Sequence, residues 1–380
     1  MALAKRIFLS PPHMNGTEMQ YIDRAFETNW VAPLGANVDE FEQRMEAYLG
    51  AGHMVALSSG TAALHLAVRQ AGVQPGDVVF CSDVTFIGSC NSVVYQGAEL
   101  VFIDSDESWN MDPRSLKRAL EDAAAQGRLP KAVIVVDLYG LPANYDEIVP
   151  LCREYGVPII EDAAEALGSE YNGVKCGLFG ETAALSFNSN KIITTSGGGM
   201  LITNTEQAKE KAKFWATQAK EAVPYYLHKE IGYNYRLSNI SAGIGCGQMN
   251  SLPQYVEKRR EIYDTYCKGL QGLPVRFYPT CEKARPNCWL TVMLLEDTDI
   301  TPEQVIQALE HENIESRRFW NPMHVQPLFR ENRFYTEYPD HPMGERLFER
   351  GVCLPSGTAM DEEQQAAVIQ TIIKLFEGRG

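Results

Sequence analysis

Between residues 54 and 161, short apolar runs take turns with stretches of helical period, and this alternation constrains the fold more than any other feature of the chain. Residues 54–57, 78–82, 100–104, 132–138 and 157–161 read as strands. Residues 60–70, the stretch ending at Val94, 113–125 and 144–155 read as helices, the third with Asp112 as its N-cap. Strands with no polar alternation must be covered on both faces, and a strand–helix–strand rhythm supplies that cover. The expected fold class is therefore α/β, a mostly parallel central sheet with helices on both faces. The rhythm loosens after about residue 180. Residues 183–187 and 200–203 read as further strands, 205–219 as a polar helix, and 236–266 as one long helix kinked at Pro253. The rest mixes strands and helices, which predicts a smaller α+β domain. We place a large domain at 1–250 and a small C-terminal domain at 251–380, since 380 residues exceed one compact core.

The charge balance narrows the partners. Lysine and arginine number 34 against 49 acidic residues, a net charge of -15, which argues against nucleic acid or an anionic membrane surface. A local cluster of donors can still hold an anionic ligand. No run approaches the roughly 20 apolar residues that span a bilayer. Residues 1–10 carry two basic side chains but no long apolar stretch, so no signal peptide is expected. The nine cysteines are scattered, odd in number and never in a CxxC pair, which predicts reduced thiols and a cytoplasmic protein. No internal repeat or low-complexity tract is present.

Four features sit at expected strand ends. Ser58-Ser59-Gly60-Thr61 joins a strand to a helix start, where backbone amides and hydroxyls form a phosphate cradle or simply cap a helix. Thr85-Phe86 follows the next strand, and its aromatic either stacks on a flat ring or belongs to the core. Ile159-Ile160-Glu161-Asp162 runs an apolar strand into an acidic pair, where ligands of open α/β sheets bind, although an aspartate after a strand also serves as an N-cap. In Ser186-Phe187-Asn188-Ser189-Asn190-Lys191 a lysine sits among small and apolar neighbours; a desolvated lysine is an amine nucleophile toward an aldehyde. The triplet Gly197-Gly198-Gly199 matches no phosphate-loop spacing and reads as a tight turn into the following strand. Taken together, phosphate donors, an aromatic face, a carboxylate and an amine are what pyridoxal phosphate requires.

With these motifs, and with Gly232-Tyr233-Asn234-Tyr235-Arg236, the chain resembles the DegT/StrS family of sugar aminotransferases over residues 8–360. The resemblance implies an aspartate aminotransferase-like fold (fold type I of the pyridoxal phosphate enzymes) and pyridoxal 5'-phosphate as cofactor. It implies Lys191 as the Schiff-base lysine, Asp162 against the pyridine nitrogen, Gly60, Thr61 and Ser186 against the phosphate, and Phe86 on the ring. It also implies a homodimer with active sites at the interface, in which Asn234, with Arg236 beside it, reaches the partner's cofactor. Glu165 departs from the pattern, because the family commonly has Gln or His three residues after the aspartate; the acid either alters proton affinities near the ring or faces the substrate. Residues 8–14, 32–35, 190–199 and 354–360 are similar to the UDP-4-keto-6-deoxy-N-acetylglucosamine 4-aminotransferases of bacillosamine synthesis for protein glycosylation. By that resemblance Asn29, Trp30, Val31 and Ala32, with Leu354, Pro355, Ser356 and Gly357, touch the nucleotide sugar. Glutamate is the implied amino donor, and the implied product is UDP-4-amino-4,6-dideoxy-N-acetylglucosamine. No metal is expected. The competing readings are a 3-keto or opposite-stereochemistry sugar, a sugar dehydratase (in which histidine replaces the lysine), a non-catalytic cofactor-binding regulator, and a nicotinamide oxidoreductase, for which the first strand–helix turn lacks GxGxxG.

Overall fold

Two helices, α1 (Glu18–Glu27) and α2 (Ala36–Leu49), precede the expected alternation of β1 (His53–Leu57), α3 (Gly60–Gln70), β2 (Val78–Ser82), α4 (Ile87–Tyr95), β3 (Glu99–Ile103), α5 (Pro113–Ala125), β4 (Ala132–Val136), α6 (Tyr145–Tyr155) and β5 (Ile159–Asp162). A small hairpin, β6 (Glu170–Tyr171) and β7 (Val174–Lys175), leads into β8 (Thr182–Ser186), β9 (Gly199–Thr203) and α7 (Glu206–Ala216). This computed structural model describes residues 5–279 and 281–378. The first four residues of the N-terminal stretch, read above as carrying no signal peptide, lie outside the described residues.

The reason for the alternation is visible in the packing. In β4, Val133 and Val135 face Leu116, Leu120 and Ile148 of α5 and α6, while Ile134 faces the α3 side with Leu66 and Val68. All five residues of β4 are buried. Each such side chain contributes about 1.5–3 kcal/mol of transfer free energy, which is why no polar residue interrupts the run. Asp112 caps α5 as expected, its carboxylate accepting the Arg114 amide at 2.9 Å.

The central sheet has eight strands in the order β1-β9-β8-β5-β4-β2-β3-β14, where β14 is Arg333–Tyr335. Strand β9 alone runs antiparallel to its neighbours. The carboxyl ends of β1, β8, β5 and β2 therefore open on one edge.

Residues 236–266, expected as a single kinked helix, form two: α8 (Asn239–Met249) and α9 (Leu252–Gly269). Ser238 caps the first, its hydroxyl accepting the Ser241 amide at 3.1 Å. Pro253 lies in the first turn of α9, where its missing N–H leaves no bond unmade, so it begins a helix instead of bending one. Arg236 stays outside both helices and pairs with Glu42 at 2.7 Å.

The chain continues through β10 (Val275–Phe277), β11 (Ala284–Arg285), β12 (Thr291–Leu295), α10 (Pro302–His311), β13 (Arg317–Arg318), β14, α11 (Met343–Arg350), β15 (Gly351–Leu354) and α12 (Glu362–Phe376). Strands β10, β12, β15 and β13 make an antiparallel sheet covered by α9, α10 and α12, with Val292 and Val352 in its interior. The three residues of β14 return to the central sheet and pair in parallel with β3. All nine cysteines are free thiols, seven of them buried. Among the described residues no helix is long and apolar enough to cross a membrane.

Candidate active site

Four strand ends meet at a cleft of about 900 Å³. Strand β1 delivers Ser58, Ser59 and the start of α3; β2 delivers Thr85 and Phe86; β5 delivers Asp162 and Glu165; β8 delivers Ser186 and Lys191. The N-terminal segment 8–12 and Trp289, Arg317, Trp320 and Cys353 also line it. The Lys191 Nζ lies 3.5 Å from Glu165 Oε1 and 3.9 Å from the centre of the Trp289 ring. Asp162 is buried, and its carboxylate accepts the Ser89 hydroxyl at 2.6 Å and the Ala164 amide at 3.2 Å. No helix follows β5 directly, so Asp162 is not an N-cap.

Burial dominates the electrostatics. It lowers the Lys191 pKa, while Glu165 and Asp162 oppose that shift. It pushes Glu165 up to about 7, against the pull of Lys191 and of the Tyr139 amide, which donates to Oε2 at 2.7 Å. It raises Asp162, against the Ser89 hydrogen bond. Burial thus brings the two groups' proton affinities closer together, lowering the amine's and raising the carboxyl's. Replacing Glu165 with Gln removes an anion that favours the ammonium form, so the Lys191 pKa falls further. The pH midpoint for capture of pyridoxal phosphate at Lys191, trapped with borohydride, is expected to move to lower pH in Glu165→Gln. A midpoint that rises contradicts this.

The cradle at α3 is built by close approach. The Ser59 hydroxyl accepts the Ala62 amide at 3.0 Å, and the first amides of the helix have no acceptor inside it. A Cβ on Gly60 would come 3.0 Å from the Ser186 Cβ, and one on Gly199 would come 2.3 Å from the Ser59 carbonyl carbon. The glycine triplet ends in β9 as the expected turn, with Gly197 and Gly198 facing the cleft. Gly199→Ala must displace the Ser59–Gly60 backbone. We expect a loss of about 1–3 kcal/mol in denaturant unfolding, as for other overpacked sites; an unchanged transition contradicts the close approach.

The residues present fit pyridoxal phosphate. The start of α3, Ser186, the buried Asp162 carboxylate and the Lys191 amine line one cleft, and the Phe86 ring on its wall is 60% exposed although it follows a buried strand. An exposed aromatic on a cleft wall is suited to covering a flat ring.

The remaining expected contacts lie elsewhere in the chain. Asn234 is exposed on the 217–236 segment, with its Oδ1 accepting Gln218 Nε2 at 3.2 Å. Asn29, Trp30 and Val31 are exposed, and Ala32 half-buried, between α1 and α2; Asn239 holds the carbonyls of Trp30 and Ala32 at 2.9 and 2.8 Å. Leu354, Pro355, Ser356 and Gly357 are buried behind the cleft wall. There the Ser356 hydroxyl accepts the Thr291 amide at 2.9 Å, and Gly357 packs on Pro11. Ser89 and Trp289 were not singled out from sequence. Ser89 follows Thr85 by one helical turn, a weak signal in hindsight, while Trp289 comes from 98 positions away from Lys191 and gave none.

Known proteins place this architecture. The model of the DegT/DnrJ/EryC1/StrS aminotransferase family matches residues 12–373. EpsN of Bacillus subtilis (strain 168), provisionally named a pyridoxal phosphate-dependent aminotransferase, is 51% identical over 374 residues, covering 98% of this chain and 96% of that protein. GDP-perosamine synthase of Escherichia coli O157:H7 is 32% identical over 376 residues, 99% of this chain and 100% of that one. The crystal structure of a DegT DnrJ EryC1 StrS aminotransferase from Brucella abortus superposes with a TM-score of 0.87 at 29% identity, covering 94% of this chain and 95% of that one. The family match takes in every strand of the central sheet, and the chain belongs to this family, as a pyridoxal-phosphate-dependent sugar aminotransferase.

Proposed function

We propose that the enzyme moves the amino group of glutamate to carbon 4 of a UDP-linked 4-keto-6-deoxy-N-acetylhexosamine, giving UDP-4-amino-4,6-dideoxy-N-acetylglucosamine. The donor leaves as its 2-oxo acid and the ketone oxygen is replaced by the amine, so the exchange balances without an outside oxidant. The observation that carries the aminotransferase chemistry is the Lys191 amine held between Glu165 and the Trp289 face, with a buried Asp162 at the same strand edge. The sugar rests on the resemblance of residues 8–14, 32–35, 190–199 and 354–360.

When bound, pyridoxal phosphate supplies an electron sink for the pair left after a proton is taken from carbon. The protein's residues supply the rest. Gly60, Thr61 and Ser186 would hold the phosphate, Phe86 would cover a ring face, and Asp162 would present an anion to the ring nitrogen. Lys191 would carry the covalent link to the cofactor, and its Nζ would take a proton and return it. Its lowered pKa keeps the neutral amine accessible. Trp30, Val31, Leu34, Tyr226 and Ile231 leave exposed apolar surface around Asn234 and Asn29. That surface supports a homodimer in which Asn234 and residues 29–32 serve the partner's cleft.

The test is incubation with glutamate and UDP-4-keto-6-deoxy-N-acetylglucosamine, with the product identified by mass and NMR. The perosamine synthase relative names a GDP-linked product, so a GDP-linked 4-keto-6-deoxyhexose and a 3-keto sugar run in parallel. Amination of the UDP substrate at carbon 4 is expected to be the fastest. Turnover confined to the GDP-linked or 3-keto arm overturns the sugar assignment and leaves the chemistry standing.

A further inference from the structure

Arg259 is a buried cation without an anion. It lies on the inner face of α9, 1% exposed, and among the described residues no carboxylate pairs with it. Arginine is rarely buried unpaired, so what its hydrogen bonds reach is informative. The Nη1 group donates to the Trp289 carbonyl at 2.5 Å, and Nη2 donates to the Ser10 hydroxyl at 2.8 Å. Both recipients then turn to the same atom. The Ser10 hydroxyl donates to the Asn190 carbonyl at 2.6 Å, and the Trp289 indole N–H donates to that carbonyl at 2.7 Å. The Asn190 carbonyl belongs to the peptide that joins Asn190 to Lys191. The Trp289 ring is the one that lies 3.9 Å from the Lys191 Nζ.

We infer that Arg259 is a positioning residue for Lys191: one guanidinium, bonded through Ser10 and Trp289, fixes both the peptide entering the lysine and the aromatic face under its amine. A guanidinium suits this task because its donors diverge in a fixed plane and stay protonated. Burial pulls its pKa down to about 9, still charged at neutral pH. An ammonium at the same place has neither the reach nor the planar fork to hold two segments at once. The neighbouring Arg260 shows the contrast. It binds the Pro286 and Gly168 carbonyls at 2.8 and 3.1 Å and sends no bond to the lysine loop.

This inference rests on Lys191 being the cofactor lysine, and the test separates the two. Apoenzyme is mixed with pyridoxal phosphate, reduced with borohydride, and the rate of label appearing at Lys191 is read by peptide mass per folded molecule, with folding followed by circular dichroism. Wild type is expected to label at Lys191; label elsewhere only would defeat the functional reading itself. Arg259→Gln is expected to label Lys191 at least tenfold more slowly, with Arg259→Lys between it and wild type. Arg260→Gln, a structural control, is expected to melt lower and to label at the wild-type rate. If Arg259→Gln does not fold, Ser10→Ala carries the test, since it removes one of the two arms at small structural cost and should slow labelling several-fold. Arg259→Gln equal to wild type, Arg259→Gln no slower than Arg260→Gln, or Ser10→Ala unchanged each overturns the assignment.

Discussion

Lys191→Ala is expected to abolish turnover, by roughly 10⁴-fold or more, and to remove the near-ultraviolet to violet absorbance that a lysine-linked cofactor gives. The size follows from position. Lys191 is the only lysine among the residues that line the cleft, so no second amine stands ready for the covalent link or for the proton transfers. The same substitution has a second, independent consequence. Removing the ammonium takes from Glu165 the neighbour that favours its ionised form, and its pKa, about 7 beside Lys191, moves higher. A carboxyl whose folded pKa stands above its unfolded value costs stability as pH climbs from the unfolded value toward the folded one. In wild type the ammonium offsets part of that cost once Glu165 ionises; in the variant only the Tyr139 amide is left to do so. The variant's stability relative to wild type should therefore fall between pH 5 and pH 8, read as paired thermal melts of the apoenzymes. Retained turnover would rule out the mechanism, and a relative stability that rises with pH would rule out the 165/191 coupling.

What the sequence reveals about this protein is what is local. The strands of the first half are legible because apolar runs with no polar alternation have few other places to go. The four site segments are legible because each couples a strand end to a short motif: Ser58-Ser59-Gly60-Thr61, Thr85-Phe86, Glu161-Asp162 and the run to Lys191. The break between α8 and α9 was missed because helical period continues across it, and only two polar residues, Asn250 and Ser251, interrupt the chain. The return of β14 to the central sheet was invisible for a different reason. Three half-buried residues carry no periodicity, and their pairing with β3 spans more than two hundred positions. Ser89, Trp289, Ser10 and Arg259 were illegible in the same way. Each is an ordinary helix or loop residue until the fold brings Ser89 against Asp162, Trp289 against Lys191, Ser10 against the Asn190 carbonyl and Arg259 against Ser10 and Trp289. Glu165 lies between the two cases. Its departure from the family pattern was plain from sequence, and only the 3.5 Å approach to Lys191 shows which neighbour it faces.

Asp162→Asn isolates charge from shape. The amide has the size of the carboxylate and can still accept from Ser89, but it is neutral, and on the proposed reading a ring nitrogen bound beside it would lose the anion that keeps it protonated. The buried setting makes that loss large, because few solvent dipoles can substitute for the missing charge. We expect kcat to fall by about 10²–10⁴, equivalent to about 3–5 kcal/mol of barrier, with a much smaller change in the amount of cofactor bound. Ser89→Ala tests the same carboxylate from the other side. The Ser89 hydrogen bond holds the Asp162 pKa down against burial, so its loss lets Asp162 protonate at higher pH. A hydrogen bond to a charged group is worth about 1.5–3 kcal/mol, and only part of that bears on the reaction, so kcat should fall roughly tenfold. More telling is the direction of the pH change: the acidic limb of the rate profile should move to higher pH in Ser89→Ala. Asp162→Asn within tenfold of wild type, or an acidic limb that moves to lower pH in Ser89→Ala, would show that this carboxylate does not act as the anion opposite the ring nitrogen.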